Sequence, residues 1–210
     1  MRTIKDANER KNEILDIAEQ LFKKKGYTQT TVDDILKESG IAKGTLYYHF
    51  KSKEDILLAM IERQVEERKN AMRAIAEDSS ISAVEKVVRS IQHLSDSGLM
   101  ADRIYVKGNA ELHHTSFTLS LAAFSPIFTK IVEEGIESGV FATPYPQESV
   151  ELLFCASELH DPQVFSWSDE ERSRKKKAFY WMLELTLGMT DAAKAELYLL
   201  AGISQEGCDG

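Results

Sequence analysis

Cysteine is nearly absent from this chain of 210 residues: Cys155 and Cys208 lie far apart, the second in a polar tail. Neither a disulfide framework nor a metal-ligand spacing can be built from that pair. Also missing is an apolar run of the length a bilayer span needs. The N-terminus, MRTIKDANERK, is charged where a secretory leader would be apolar. The expected compartment is therefore the cytoplasm, with no membrane among the partners. No stretch reads as a convincing strand, no repeat recurs, and low complexity is confined to the tail Ser204 to Gly210. Nucleophile elbows, phosphate loops and metal signatures are lacking too. What is present is 43% hydrophobic and 29% charged, enough for one large or two small domains with a full core and too apolar for a disordered chain.

The net charge of −8 looks wrong for a nucleic-acid partner until it is divided along the chain. Residues 1–53 hold 11 Lys/Arg against 8 Asp/Glu, a balance of +3, and residues 54–210 hold 15 against 26, a balance of −11. A polyanion is favoured at the N-terminal end alone, and the acidic remainder restricts which surface can dock. A balance of +3 over 53 residues is ordinary in itself, so a motif has to decide.

That motif is Thr31 to Lys53, TVDDILKESGIAKGTLYYHFKSK. Thr31 with Asp34 three residues on is a capping-box pattern, and Val32, Ile35 and Leu36 recur at helical spacing behind it. Gly40 stops this helix, because it can take the left-handed conformation of a short inter-helix turn. A second helix follows over Ala42 to Phe50. At about 100° per residue, Leu46 and Phe50 point inward beside Ile41, and Gly44, Thr45 and Tyr48 point outward with Lys43, Tyr47 and His49 on the flanks. Hydroxyls and Lys suit phosphates, ring edges and methyls suit base edges, and Gly permits close approach. A third helix opens with Ser52 as cap and Asp55 three residues on. Lys53 in its first turn opposes the helix dipole and so needs another task, such as meeting a phosphate.

Ala18, Leu21-Phe22, Gly26-Tyr27, Thr30-Thr31, Ile35, Gly40 and the run Gly44-Thr-Leu-Tyr-Tyr-His-Phe-Lys-Ser-Lys-Glu54 resemble the TetR family of bacterial transcriptional regulators, over residues 8 to 58. Ala42 departs from the pattern where a capping Ser is common, at a cost of about 1 kcal/mol, and Leu36 stands where a small Ala is frequent. The resemblance implies an all-α protein with a three-helix helix-turn-helix DNA-binding domain over 1–53. A larger helical effector-binding and dimerisation domain is expected over 54–205, with a tail over 206–210. It implies a homodimer through helices 147–159 and 169–187, paired as a four-helix bundle, on a palindromic operator in double-stranded DNA. Thr31, Lys43, Gly44, Thr45, Tyr47, Tyr48, His49 and Lys53 are the expected DNA contacts, with Thr31 and Lys53 clamping the backbone.

Before the motif, a helix is predicted from Glu9 to Lys25, with Ile14, Leu15, Ala18, Leu21 and Phe22 as its apolar stripe and Gly26 as its C-cap. From Lys53 a long helix runs to about Ala76. Ser82 with Glu85 caps the next, to Ser97. A segment from Asp102 to His114 is followed by a helix from Ser116 to Ser138, with Pro126 either kinking it or starting it anew. Gln147 to Leu159 is a further helix, Ser168 with Glu171 caps one to Leu187, and Ala192 to Leu200 closes the series. Val150, Leu152, Leu153 and Phe154, and then Phe179, Trp181, Met182, Leu183, Leu185 and Leu187, make two of these helices apolar on several sides, which demands a deep core or a subunit interface. The basic run Arg172 to Lys177 reads as a solvated surface.

An enclosed small-molecule pocket is a further implication of the resemblance. Tyr105, Asn109, His113, Phe117, Phe124 and Trp181 are the candidate ligand contacts, near Glu111, His114, Cys155 and His160. Aromatic residues at helical spacing serve equally well as plain core. Adjacent His113 and His114 point to different helix faces and no His pair stands four apart, so no metal and no cofactor is expected. The expected function is a repressor released from DNA by a small effector. A DNA-binding protein controlled by a protein partner is the alternative. An all-helical enzyme using His113, His114 or Glu111 has no signature behind it, so the chain is not expected to be an enzyme.

Overall fold

The computed structural model describes residues 7–96, 110–160 and 165–203, and its regular elements there are all helical, as the all-α expectation requires. In chain order they are α1 (Ala7–Lys25), α2 (Val32–Ser39), α3 (Lys43–His49), α4 (Lys53–Glu77), α5 (Ala83–Asp96), α6 (Ala110–Glu137), α7 (Pro146–Ser157) with a 3-10 turn at Glu158–His160, α8 (Asp169–Leu187) and α9 (Asp191–Ala201). They divide between two compact units.

In the first unit, described over 7–65 and 110–116, α1 buries Ile14, Leu15, Ala18 and Phe22 of its predicted stripe, and Leu21, the fifth member, is half-buried. Gly26 ends the helix in the left-handed region, its N–H on the Phe22 carbonyl. The capping box at Thr31 and Asp34 starts α2, and Gly40, at φ 62°, stops it. Leu46 and Phe50 turn inward from α3, each side chain contributing about 1.5–3 kcal/mol of burial. The opening turns of α4 belong to this unit as far as Val65, because Ile56, Leu57 and Met60 are fully buried there and Arg63 pairs with Asp16 (2.6 Å) and Glu19 (3.1 Å) of α1.

The second unit is described over 66–96, 117–160 and 165–203. Ser82 and Glu85 start α5 as expected, with the Glu85 N–H on the Ser82 hydroxyl. Helix α5 packs on α9 and is tied to α6 by Lys86, which donates to both Glu134 oxygens at 2.8 and 2.7 Å. Helices α7 and α8 pack together. Pro126 neither breaks nor restarts α6, which is continuous across it. The carbonyl deprived of a donor is that of Ala122, and Ala122 and Pro126 are both exposed, so solvent can satisfy it. The expectation that no apolar run reaches membrane-spanning length is also corrected. Leu112–Glu137 is long and apolar enough by length and composition. Part of its apolar character serves this unit, where Phe124, Ile127, Phe128, Ile131 and Val132 form core. Helix α7 ends two residues earlier than predicted, its last turn tightening into the 3-10 segment. The tail 206–210 lies outside the described residues.

Candidate nucleic-acid interface

Helix α3 has two unlike faces. Leu46 and Phe50 are sealed in the first unit, and Tyr48 is 79% exposed, with Lys43, Gly44 and Tyr47 also open to solvent. Thr45 and His49 are half-buried along its edge. An ideal Cβ on Gly44 would meet no atom within 4 Å, so the glycine is not demanded by packing, and its bareness leaves the backbone approachable. The Lys43 ammonium lies 5.8 Å from the Tyr47 ring centre, and the Tyr48 and His49 rings meet edge-on at 5.0 Å. Six of the eight expected DNA contacts thus sit on one short helix, with hydrogen-bonding tips and ring edges turned outward. Ala42 makes no side-chain cap, as its sequence implies.

Thr31 and Lys53 are placed differently. The Thr31 hydroxyl donates to Asp34 (2.6 Å) and accepts its N–H, and the Thr31 N–H donates to the same carboxylate. Both Thr31 donors are therefore engaged within the fold. Lys25 reaches the same carboxylate at 2.6 Å, joining the end of α1 to the start of α2. These bonds, Lys25's first, hold the Asp34 carboxyl well below the usual carboxylate range. The Lys53 ammonium donates to the carbonyls of Tyr27 and Thr30, 2.9 Å each. The other task that a cation in this first turn requires is thus met inside the fold by two carbonyls. Tyr27 donates its hydroxyl to Glu54 at 3.0 Å, and burial followed by that carboxylate pushes the phenol up. Tyr27 and Glu54 went without a role in the sequence reading, since a contact across 27 residues leaves no local signal.

Of the expected ligand contacts, Tyr105 and Asn109 lie outside the described residues, as does the Glu111 side chain. His113 belongs to the first unit. Phe117 and Phe124 come together in the second unit around Phe154 of α7, with ring centres 5.7 and 6.4 Å from it. Phe154 is the partner that periodicity along a single helix could not reveal. Trp181 is 48% exposed, unlike the wall of a closed pocket, and Cys155 is exposed too. His160 packs edge-on against Phe179 at 5.4 Å, and burial lowers its pKa. Among the described residues no cluster of His, Cys, Asp and Glu could hold a metal ion.

Comparison with known proteins gives this geometry a lineage. The family model described as "Bacterial regulatory proteins, tetR family" matches residues 14–60, and "Tetracyclin repressor-like, C-terminal domain" matches residues 98–182. The HTH-type transcriptional repressor KstR2 of Rhodococcus jostii is 30% identical over 151 residues, 69% of this chain and 72% of that protein. The HTH-type transcriptional regulator YerO of Bacillus subtilis is 40% identical over 82 residues, which span 39% of this chain and 28% of YerO. A solved structure of RolR in complex with resorcinol is 19% identical, covers 91% of this chain and 93% of that one, and has a TM-score of 0.67, a likeness of fold. With one family model on the helix-turn-helix, another on the helical body, and a repressor matched over most of its length, this chain belongs to the TetR family of bacterial transcriptional regulators.

Proposed function

We propose that the protein is a homodimeric repressor that reads a palindromic operator through α3 and is released by a small-molecule effector. The outward face of α3 carries this reading: Lys43, Gly44, Thr45, Tyr47, Tyr48 and His49 enter the major groove, and Thr31 and Lys53 stiffen the flanking turns. A regulator of this kind works in the cytoplasm, beside the chromosome. Dimerisation is supported by apolar side chains left uncovered on packed helices: Leu152 on α7 is 67% exposed, and Trp181 and Leu185 on α8 are 48% and 55% exposed. Two copies joined there would present two reading heads to two half-sites. Repression is favoured by the kinship with KstR2, and a small effector by the resorcinol complex of a protein of the same fold. An effector that prefers a head spacing unsuited to the half-sites lowers DNA affinity by linkage.

The test is selection of bound sequences from random duplex DNA by the purified protein, with its mass measured in parallel by analytical ultracentrifugation. A dimer enriching a two-fold symmetric site is expected. A monomer, or no enrichment even at low salt where phosphate contacts are strongest, defeats the proposal.

A further inference from the structure

Helices α7 and α8 form a hairpin pinned at both ends. At one end the Ala142 N–H donates to the Leu187 carbonyl at 2.9 Å. At the other the Trp167 indole donates to the Leu159 carbonyl at 3.0 Å, and the His160 ring meets that of Phe179. The two helices therefore run antiparallel. Side chains left exposed recur along them at helical spacing: Glu148, Leu152 and Leu159 from α7 into its 3-10 turn, and Lys177, Trp181 and Leu185 on α8. The antiparallel course ranks them in one stripe. Glu148 lies toward the Leu185 end, Leu152 and Trp181 fall in the middle, and Lys177 lies toward the Leu159 end.

The charge on this stripe changes sign from end to end. Within the basic run of α8, three members are engaged in the fold. Arg172 donates to the Trp167 carbonyl at 3.3 Å, Lys175 lies 3.8 Å from the centre of the Trp167 ring, and Lys176 donates to the Ala201 carbonyl at 3.2 Å. Arg174 and Lys177 share a side of the helix, three residues apart. Both are exposed, and like Glu148 they hold no hydrogen bond or ion pair among the described residues.

A second copy can face this stripe about a two-fold axis running along it or across it. The first sets Glu148 against Glu148 and Lys177 against Lys177, like on like. The second sets Glu148 of each copy against Arg174 and Lys177 of the other. It also centres the contact on Leu152 and Trp181, where a large aromatic gains most from losing water. Opposed charges at a rim govern orientation and partner choice more than strength.

We infer that copies of this chain pair with their stripes antiparallel, and that Glu148 against Arg174 and Lys177, at both ends, selects the partner. The inference rests on the dimer reading above and adds what fixes the orientation of the pair.

Charge-swapped chains test it. The wild-type chain is co-expressed with a mass-tagged chain carrying Glu148→Lys, Arg174→Glu and Lys177→Glu, and native mass spectrometry counts the mixed dimers. Each chain suits its own kind and opposes the other, so fewer than about one dimer in five should be mixed, against half for random pairing. A Glu148→Lys chain co-expressed with an Arg174→Glu/Lys177→Glu chain should do the reverse. Each is ill-matched to itself, and mixed dimers should predominate. All three positions are exposed, so the fold withstands the changes. Random pairing in either experiment overturns the inference. A preference for mixed dimers in the first does so too, since the parallel arrangement gives that result. Failure of the parent reading looks different: the wild-type chain alone would then be a monomer.

Discussion

Lys53 and Tyr27 hold each other twice: the lysine ammonium donates to the tyrosine carbonyl at 2.9 Å and lies 4.2 Å from the centre of the same residue's ring. A second bond from that ammonium, to the Thr30 carbonyl, ties the turn between α1 and α2 to the first turn of α4. Tyr27 returns the link through its hydroxyl bond to Glu54. This brace offsets the unfavourable placing of a cation at a helix N-terminus, and it lies within the unit that presents α3.

Lys53→Ala should lower the stability of the head by about 1–3 kcal/mol, the range for a charge-assisted hydrogen bond removed. Urea unfolding followed by circular dichroism measures it. The salt dependence of operator binding should be unchanged. A slope reduced by about 0.9, the contribution of one phosphate contact, with stability intact, would return Lys53 to the DNA surface.

Asp34 makes the head acid-sensitive. Its folded pKa is depressed, first by Lys25 and then by Thr31, so in acid the unfolded chain binds more protons than the folded one. The stability it contributes is present above its ordinary value of 3.8 and is lost as pH falls below that toward the folded value. Asp34→Asn should be less stable than the parent at neutral pH, and the gap should close in that acid range. Urea midpoints for both proteins against pH decide it, and a gap independent of pH would break the linkage.

Gly135 is required by a ring. A Cβ built on it would run into the side chain of Phe141, which is buried and whose N–H bonds the Gly135 carbonyl. Gly135→Ala should cost about 1–3 kcal/mol by overpacking. Adding Phe141→Ala should then cost less in the Gly135→Ala background than in the parent, a coupling a double-mutant cycle by thermal unfolding reads directly. Strictly additive effects would show that the ring does not press on this helix.

Tyr48 and Leu46 stand two residues apart on α3 and should separate function from stability. Tyr48→Ala should weaken specific DNA binding by about 1–3 kcal/mol and change stability by no more than about 0.5 kcal/mol. Leu46→Ala should cost about 2–5 kcal/mol of stability. Fluorescence anisotropy with the selected operator, beside melting curves, checks both. Unaltered operator affinity in Tyr48→Ala would take it off the contact surface.

Much of this protein is legible from local chemistry alone. Thr31 with Asp34, Ser168 with Glu171, Gly26 and Gly40 mark helix ends by interactions spanning three or four residues, and all four act as caps in the structure. The inward and outward faces of α3 follow from the 3.6-residue period, because a short amphipathic helix has one way to hide Leu46 and Phe50. Tertiary packing decided matters that no local period encodes. Lys53 looked free for a phosphate until the turn at Tyr27 to Thr30 folded back onto it. Phe117 and Phe124 became a cluster when Phe154 arrived from another helix. Trp181, a pocket residue by the family resemblance, lies half in solvent because which side of a helix apolar on several sides stays uncovered depends on the neighbours that pack on it. Caps and periods are energies between near neighbours in the chain and can be read in order, whereas the partners of a lysine or a ring across tens of residues exist only once the helices have packed.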